Sequence, residues 1–161
     1  VGSEMCIRDS RWIDKMPQSR PSGRSGDDAA LPYGTDGILC VMDERLRLVR
    51  HRGGKVETIL PHVTRARELT PGPGKHYMVR ELMPKSGRLG VIFDPDADEM
   101  WHIERKHFPF EEADNPYGGF RYAPRLDAIL WFGWNRLWGV PLAEVMKGPR
   151  YRASTGRKLR A

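Results

Sequence analysis

The chain has 161 residues, 39% of them hydrophobic and 30% charged, with a formal net charge of +6. That length is enough for one domain with a buried core, and the balance of apolar and charged residues is that of a globular protein rather than a disordered or fibrous one. If Cys6, in the opening VGSEMCIRDS, is not native, Cys40 is the single cysteine left and no internal disulfide is expected, and no run approaches the roughly 18 apolar residues of a membrane-spanning helix.

The chain opens with Val1 to Ser10, VGSEMCIRDS, which resembles the translated remnant of a sequencing adapter seen at the edges of genes assembled from environmental DNA. Residues 1–15 are therefore expected to be a non-native leader and are set aside from fold reasoning, with Met16 the first plausible native start. Residues 16–30 are rich in Ser, Gly, Arg and Asp without apolar periodicity, the pattern of a disordered leader. One globular domain is expected over 31–148 and a flexible basic tail over 149–161. A cytoplasmic location, with no membrane partner and no cofactor, is the default for such a chain.

Ile38 to Met42, Arg45 to Val49 and Val56 to Leu60 are short apolar-rich runs separated by Asp43-Glu44 and by Gly53-Gly54, the spacing of a three-stranded meander with two-residue turns. Closing the first turn sets Leu39 opposite Leu48 and Val41 opposite Leu46. Closing the second sets Leu48 opposite Ile59 and Arg50 opposite Glu57. Both place Leu39, Val41, Leu46, Leu48 and Ile59 on one face, and put Cys40 beside Arg47 on the other, at the surface. His62 to Thr70 is a connector between Pro61 and the Pro71-Gly72-Pro73-Gly74 run.

A second set of strands is expected at His76 to Met83, Arg88 to Phe93 and Met100 to Arg105. Leu89, Val91, Ile92, Phe93, Met100, Trp101 and Ile103 make the last two apolar on both faces, as in strands covered from two sides. The covering element is expected to be helical. Pro124 reads as a helix start and Gly139 as its end, so Arg125 to Trp138 is predicted helical, with a short second helix between Pro141 and Gly148. At about 100° per residue, Leu126, Leu130, Gly133 and Leu137 form one stripe and Trp131, Trp134 and Trp138 an adjacent one. The expected fold is α+β: an antiparallel β-meander of five or six strands, in a flat or barrel-like form, packed by C-terminal helices.

The tip Asp94-Pro95-Asp96-Ala97-Asp98-Glu99 has carboxylates two residues apart, as calcium loops do. It lacks the sixth-position glycine, held by Glu99, and Arg105 stands where a closing glutamate belongs, so a solvated turn is the favoured alternative to metal ligation by Asp94, Asp96 and Asp98. Pro95-Asp96 followed by Glu104-Arg105-Lys106 resembles the PD-(D/E)xK signature of metal-dependent nucleases. The resemblance implies that Asp96 and Glu104 hold magnesium and Lys106 assists the attacking water. If Phe93 pairs with Met100, however, Glu104 lies about five residues, or roughly 16 Å, along the strand from the tip. His102, Glu104 and His107 are in the wrong order for a zinc-protease helix, and Arg52-Gly53-Gly54-Lys55 is a hairpin turn rather than a phosphate loop.

Two segments carry nucleic-acid chemistry. Tyr117 to Tyr122 mixes aromatics, glycine and arginine, so Tyr117, Phe120 and Arg121 are candidates for stacking on bases, with core closure as the alternative. The last fifteen residues contain Lys147, Arg150, Arg152, Arg157, Lys158 and Arg160 and no acid, which equals the whole net charge. Such a segment neutralises phosphates without sequence preference, or simply solvates a terminus. The favoured function is a non-enzymatic small accessory protein associating with nucleic acid or a nucleoprotein complex through the basic segment. The alternatives are a nuclease or other phosphodiesterase built on Asp96, Glu104 and Lys106, and a structural or assembly protein, conceivably viral, that uses Trp131, Trp134 and Trp138 as a protein interface or homo-oligomer contact.

Overall fold

A computed structural model describes residues 30–50, 54–81, 87–108, 119–132 and 137–160. The leader readings for 1–29, Tyr117 and Trp134 lie outside the described residues. Among the described residues all strand pairs are antiparallel and fall into three sheets. The first runs β1 (Ala30–Tyr33), β2 (Gly37–Met42), β3 (Arg45–Arg50) and β4 (Val56–Ile59) in sequence order. The second contains β5 (Ala66–Pro71), β6 (Tyr77–Glu81), β7 (Arg88–Asp94), β8 (Glu99–Glu104) and β12 (Arg150–Arg152), with β12 on the outer edge of β8. The third has β10 (Ala128–Phe132) between β9 (Gly119–Ala123) and β11 (Leu137–Pro141).

The turn between β2 and β3 has the two-residue form expected, with Asp43 and Glu44 at φ 51° and 60°, the left-handed pair that matches strand twist. It fixes Leu39 opposite Leu48 and Val41 opposite Leu46. The next pairing differs from expectation by two residues, with Leu46 opposite Ile59 and Leu48 opposite Glu57. Because side chains alternate with period two, a shift of two leaves every residue on its face. Leu39, Val41, Leu46 and Leu48 are accordingly buried, and Ile59 packs against them. Cys40 does stand opposite Arg47, but it is buried rather than at the surface.

The five-stranded sheet is the middle layer. In β7 every residue from Leu89 to Asp94 is buried. Val79, Val91, Phe93 and Met100 join the core beneath the first sheet, whereas Met78, Ile92 and Ile103 join the core beneath the third. A bulge between Arg88 and Gly90 carries Leu89 to the Ile92 side, where it is buried with Phe120 and Trp131. Gly90 marks the closest approach of the two layers: a Cβ there would collide with the Val79 carbonyl and lie 2.7 Å from the Phe120 ring.

The covering layers are therefore sheets, which corrects the helix-packed α+β expectation. Of the described residues 58% are strand and 7% helical, and the sheets do not close into a barrel. The helical content is one 3-10 turn (Arg105–His107) and the five-residue α1 (Leu142–Met146). Of the segment predicted as a helix over Arg125 to Trp138, the described residues instead form a turn with Leu126 N–H bonded to the Ala123 carbonyl and contribute to the antiparallel β10–β11 pair. Leu126 and Leu137, assigned by helical periodicity to an inner stripe, are 68% and 59% exposed. Ile129 and Trp131 are buried instead. Period-two alternation of β-branched and aromatic residues outweighs the proline and glycine punctuation that suggested a helix.

Candidate nucleic-acid interface

The basic C-terminal segment, expected to be a flexible tail, is built into the middle sheet. Arg150, Tyr151 and Arg152 pair with Trp101, Met100 and Glu99 of β8, and the chain then folds back so that Tyr151 bridges Lys158 and the Leu159 N–H donates to the Arg150 carbonyl at 2.8 Å. Arg-Tyr-Arg alternation explains the strand: the tyrosine turns inward and both arginines stay exposed. Ala153, just past the strand, is part of the core beneath the first sheet.

Three acidic-tip carboxylates hold this hairpin and its neighbours. Asp98 accepts from the Ser154 N–H at 2.7 Å, the Ser154 hydroxyl at 2.9 Å and Arg152 at 3.3 Å. Burial works to raise its pKa, but these donors outweigh burial and hold it below the ordinary value. Asp94 is buried, paired with Lys75 at 2.8 Å, and accepts the backbone N–H groups of Asp96 and Ala97. There too burial is opposed successfully by Lys75 and the two amides. Asp96 accepts from the Tyr33 hydroxyl, a bond that pushes the phenol up to about 12. Asp94, Asp96 and Asp98 thus serve three different partners in the fold. Among the described residues no group of three or more His, Cys, Asp or Glu is placed to hold a metal.

The nuclease constellation is likewise dispersed. Asp96 lies in the β7–β8 turn, whereas Glu104 is the last residue of β8, opposite Arg88, about 16 Å away at the strand rise. Glu104 forms an ion pair with Lys106, and its backbone N–H donates to His107 Nδ1 at 3.1 Å.

Two histidines form the bed on which the hairpin rests. His102 stacks flat on Tyr151, with ring centroids 4.0 Å apart and planes 9° from parallel. Its Nε2 is buried without a hydrogen-bond partner, and burial, aided by Arg88, pushes the imidazole down to about 4. His62 places Nε2 3.3 Å from Met100 Sδ, has an unpartnered buried Nδ1, and is also lowered by burial and by Arg88. Gly156, at φ 69°, backs onto the His62 ring, where a Cβ would sit 2.9 Å from Cγ. Neither histidine, nor Tyr151, stood out in the sequence as part of this site. The alternation at 150–152 and the Ser154-Thr155-Gly156 turn were the signals that could have found it.

Of the six basic residues, Lys147 pairs with Glu144 at 2.6 Å, Arg150 with Glu99 at 3.0 Å and Arg152 with Asp98 at 3.3 Å. Arg157, Lys158 and Arg160 are exposed and form no ion pair among the described residues. A cleft of about 890 Å³ opens between the turn after α1 and the returning chain, and Lys147, Arg150, Lys158 and Arg160 all line it. Among the described residues no carboxylate lines it.

The other candidate residues are placed differently. Phe120 is fully buried, with its ring 5.7 Å from that of Trp131, so it serves the core and not base stacking. Arg121 is paired with Glu68, which also takes Arg80 at 3.3 Å. Trp131 is buried and Trp138 packs partly buried at the margin of the same core, so neither offers a bare indole for assembly. No family model matches this chain, and neither a curated protein nor a solved structure is similar to it. No helix among the described residues is long and apolar enough to cross a membrane.

Proposed function

We propose that this protein is a non-enzymatic accessory protein that associates with nucleic acid, or with a nucleoprotein complex, through its C-terminal hairpin. The observation that carries this reading is the convergence of Lys147, Arg150, Lys158 and Arg160 on one cleft whose lining, among the described residues, has no acidic residue. A run of cations on a loose terminus gives diffuse attraction. The same cations fixed around a concavity hold phosphates at set positions, and the ordering entropy has already been met in folding the hairpin. Lys158 and Arg160 alone would give log K a slope of about −1.5 against log salt, and about −3 to −4 results if Lys147 and Arg150 also exchange Glu144 and Glu99 for phosphate. A salt titration by fluorescence anisotropy with a labelled oligonucleotide tests this. The Lys158→Ala/Arg160→Ala protein should bind more weakly and lose about 1.5 to 2 units of slope. Equal affinity and slope for the two proteins would remove the reading.

A second reading is assembly. Phe132 and Leu137 are cross-strand partners at one end of the β10–β11 pair and both are exposed, an apolar pair without a cover among the described residues.

A further inference from the structure

We infer that the C-terminal cleft takes a single strand of nucleic acid in preference to a duplex, with a base on the cleft floor and its flanking phosphates on the rim. This rests on the nucleic-acid reading above. Besides its cations the cleft is lined by Trp101, Met146, Pro149 and Leu159, which we take as its floor, and Trp101 is held edge-on against His76 with centroids 5.6 Å apart. His76 is itself fixed by its Nδ1 contact to the Pro73 carbonyl at 2.9 Å. An apolar floor inside a ring of cations is complementary to a base bearing phosphates, and the volume of about 890 Å³ lies within the roughly 300–1,000 Å³ of ligand clefts. A duplex cannot use such a floor. Its phosphates ride on the outside of a stiff rod and its bases are stacked within, so it would touch only the rim cations, whereas an unpaired base has a free π-face to lay on apolar side chains.

Two parts of the floor are anchored, Trp101 in the middle sheet and Leu159 in the returning chain. Trp101 is paired through its backbone to Arg150, and Leu159 is tied to the Arg150 carbonyl.

The test uses the full chain and a labelled oligonucleotide of about twelve residues, alone or annealed to its complement, followed by anisotropy at low salt. The single strand should bind at least tenfold more tightly than the blunt duplex, and adenosine monophosphate should compete where ribose 5-phosphate at equal concentration does not. In Leu159→Asp protein, whose folding is checked by circular dichroism, that preference should collapse while weak, salt-sensitive duplex binding persists. If Leu159→Asp does not fold, the competition experiment on the native protein decides alone. Equal affinity for strand and duplex, or equal competition by ribose 5-phosphate, would overturn the inference and leave the wider reading standing. Failure to bind either form would sink both.

Discussion

Replacing Gly156 by alanine should loosen the C-terminal hairpin by two separable effects. At φ 69° an L-residue is strained by about 1–2 kcal/mol. The new methyl would also lie 2.9, 3.1 and 3.2 Å from Cγ, Nδ1 and Cδ2 of His62, and that ring has Met100 Sδ 3.3 Å from its other nitrogen. With no room to withdraw, the overpacking should cost a further 1–3 kcal/mol or so. Gly74→Ala is the control, because its φ of 57° imposes similar strain while nothing stands within 4 Å of a Cβ there. Urea unfolding should thus show Gly156→Ala less stable than Gly74→Ala by about 1–3 kcal/mol. If the hairpin undocks locally, the excess will appear as faster hydrogen exchange at the amides of Arg152, Ala153 and Leu159, which are bonded to Arg157, Asp98 and Arg150. Equal losses in the two variants, with exchange at those amides unchanged, would refute the docking of this hairpin on His62.

Stability should fall as pH drops from about 6.5 toward 4. Burial keeps His62 and His102 neutral in the fold, so the unfolded chain binds more protons in that window and protonation favours unfolding; Arg88 opposes, and Glu104 assists, the charging of His102. Asp94 and Asp98, held below 3.8, add their loss only below that. Urea midpoints at pH 7.5 and 5 should differ less in His102→Phe than in the native protein, and an identical pH dependence would contradict the buried-imidazole account. Trp131→Ala should cost about 3–5 kcal/mol as a large-to-small core change, far more than Trp138→Ala, since Trp131 is fully buried against Phe108 and Phe120 whereas Trp138 is only partly buried at the margin of that core. The reverse order by chemical denaturation would place the core elsewhere.

What the sequence disclosed was local. The Asp43-Glu44 turn fixed the first hairpin because two residues leave one register, whereas the Phe93–Met100 pairing entered only as a condition and was supplied by the structure, since strands apolar on both faces do not themselves set a register. The error at Arg125 to Trp138 arose where leucines at helical spacing coincide with strand alternation. Single-chain periodicity cannot distinguish these when proline and glycine bracket the segment. At the C-terminus, composition suggested a linker while the alternation of Arg150, Tyr151 and Arg152 specified an edge strand. The cations of the candidate site were identifiable from charge alone. The cleft was not, because its wall is assembled from Trp101, Met146 and the segment around Lys158, which meet only through the β12–β8 pairing.

The most direct measurement is a titration of isotopically labelled protein with a short single-stranded oligonucleotide, followed by amide and indole chemical shifts. Resonances of Lys147 to Arg160 and the Trp101 indole should move first and saturate together, while those of Arg80 and Arg121, which pair with Glu68 and do not line this cleft, stay still. Movement centred on Arg121 or Phe132, or none at an oligonucleotide concentration that saturates anisotropy, would contradict binding at the C-terminal cleft.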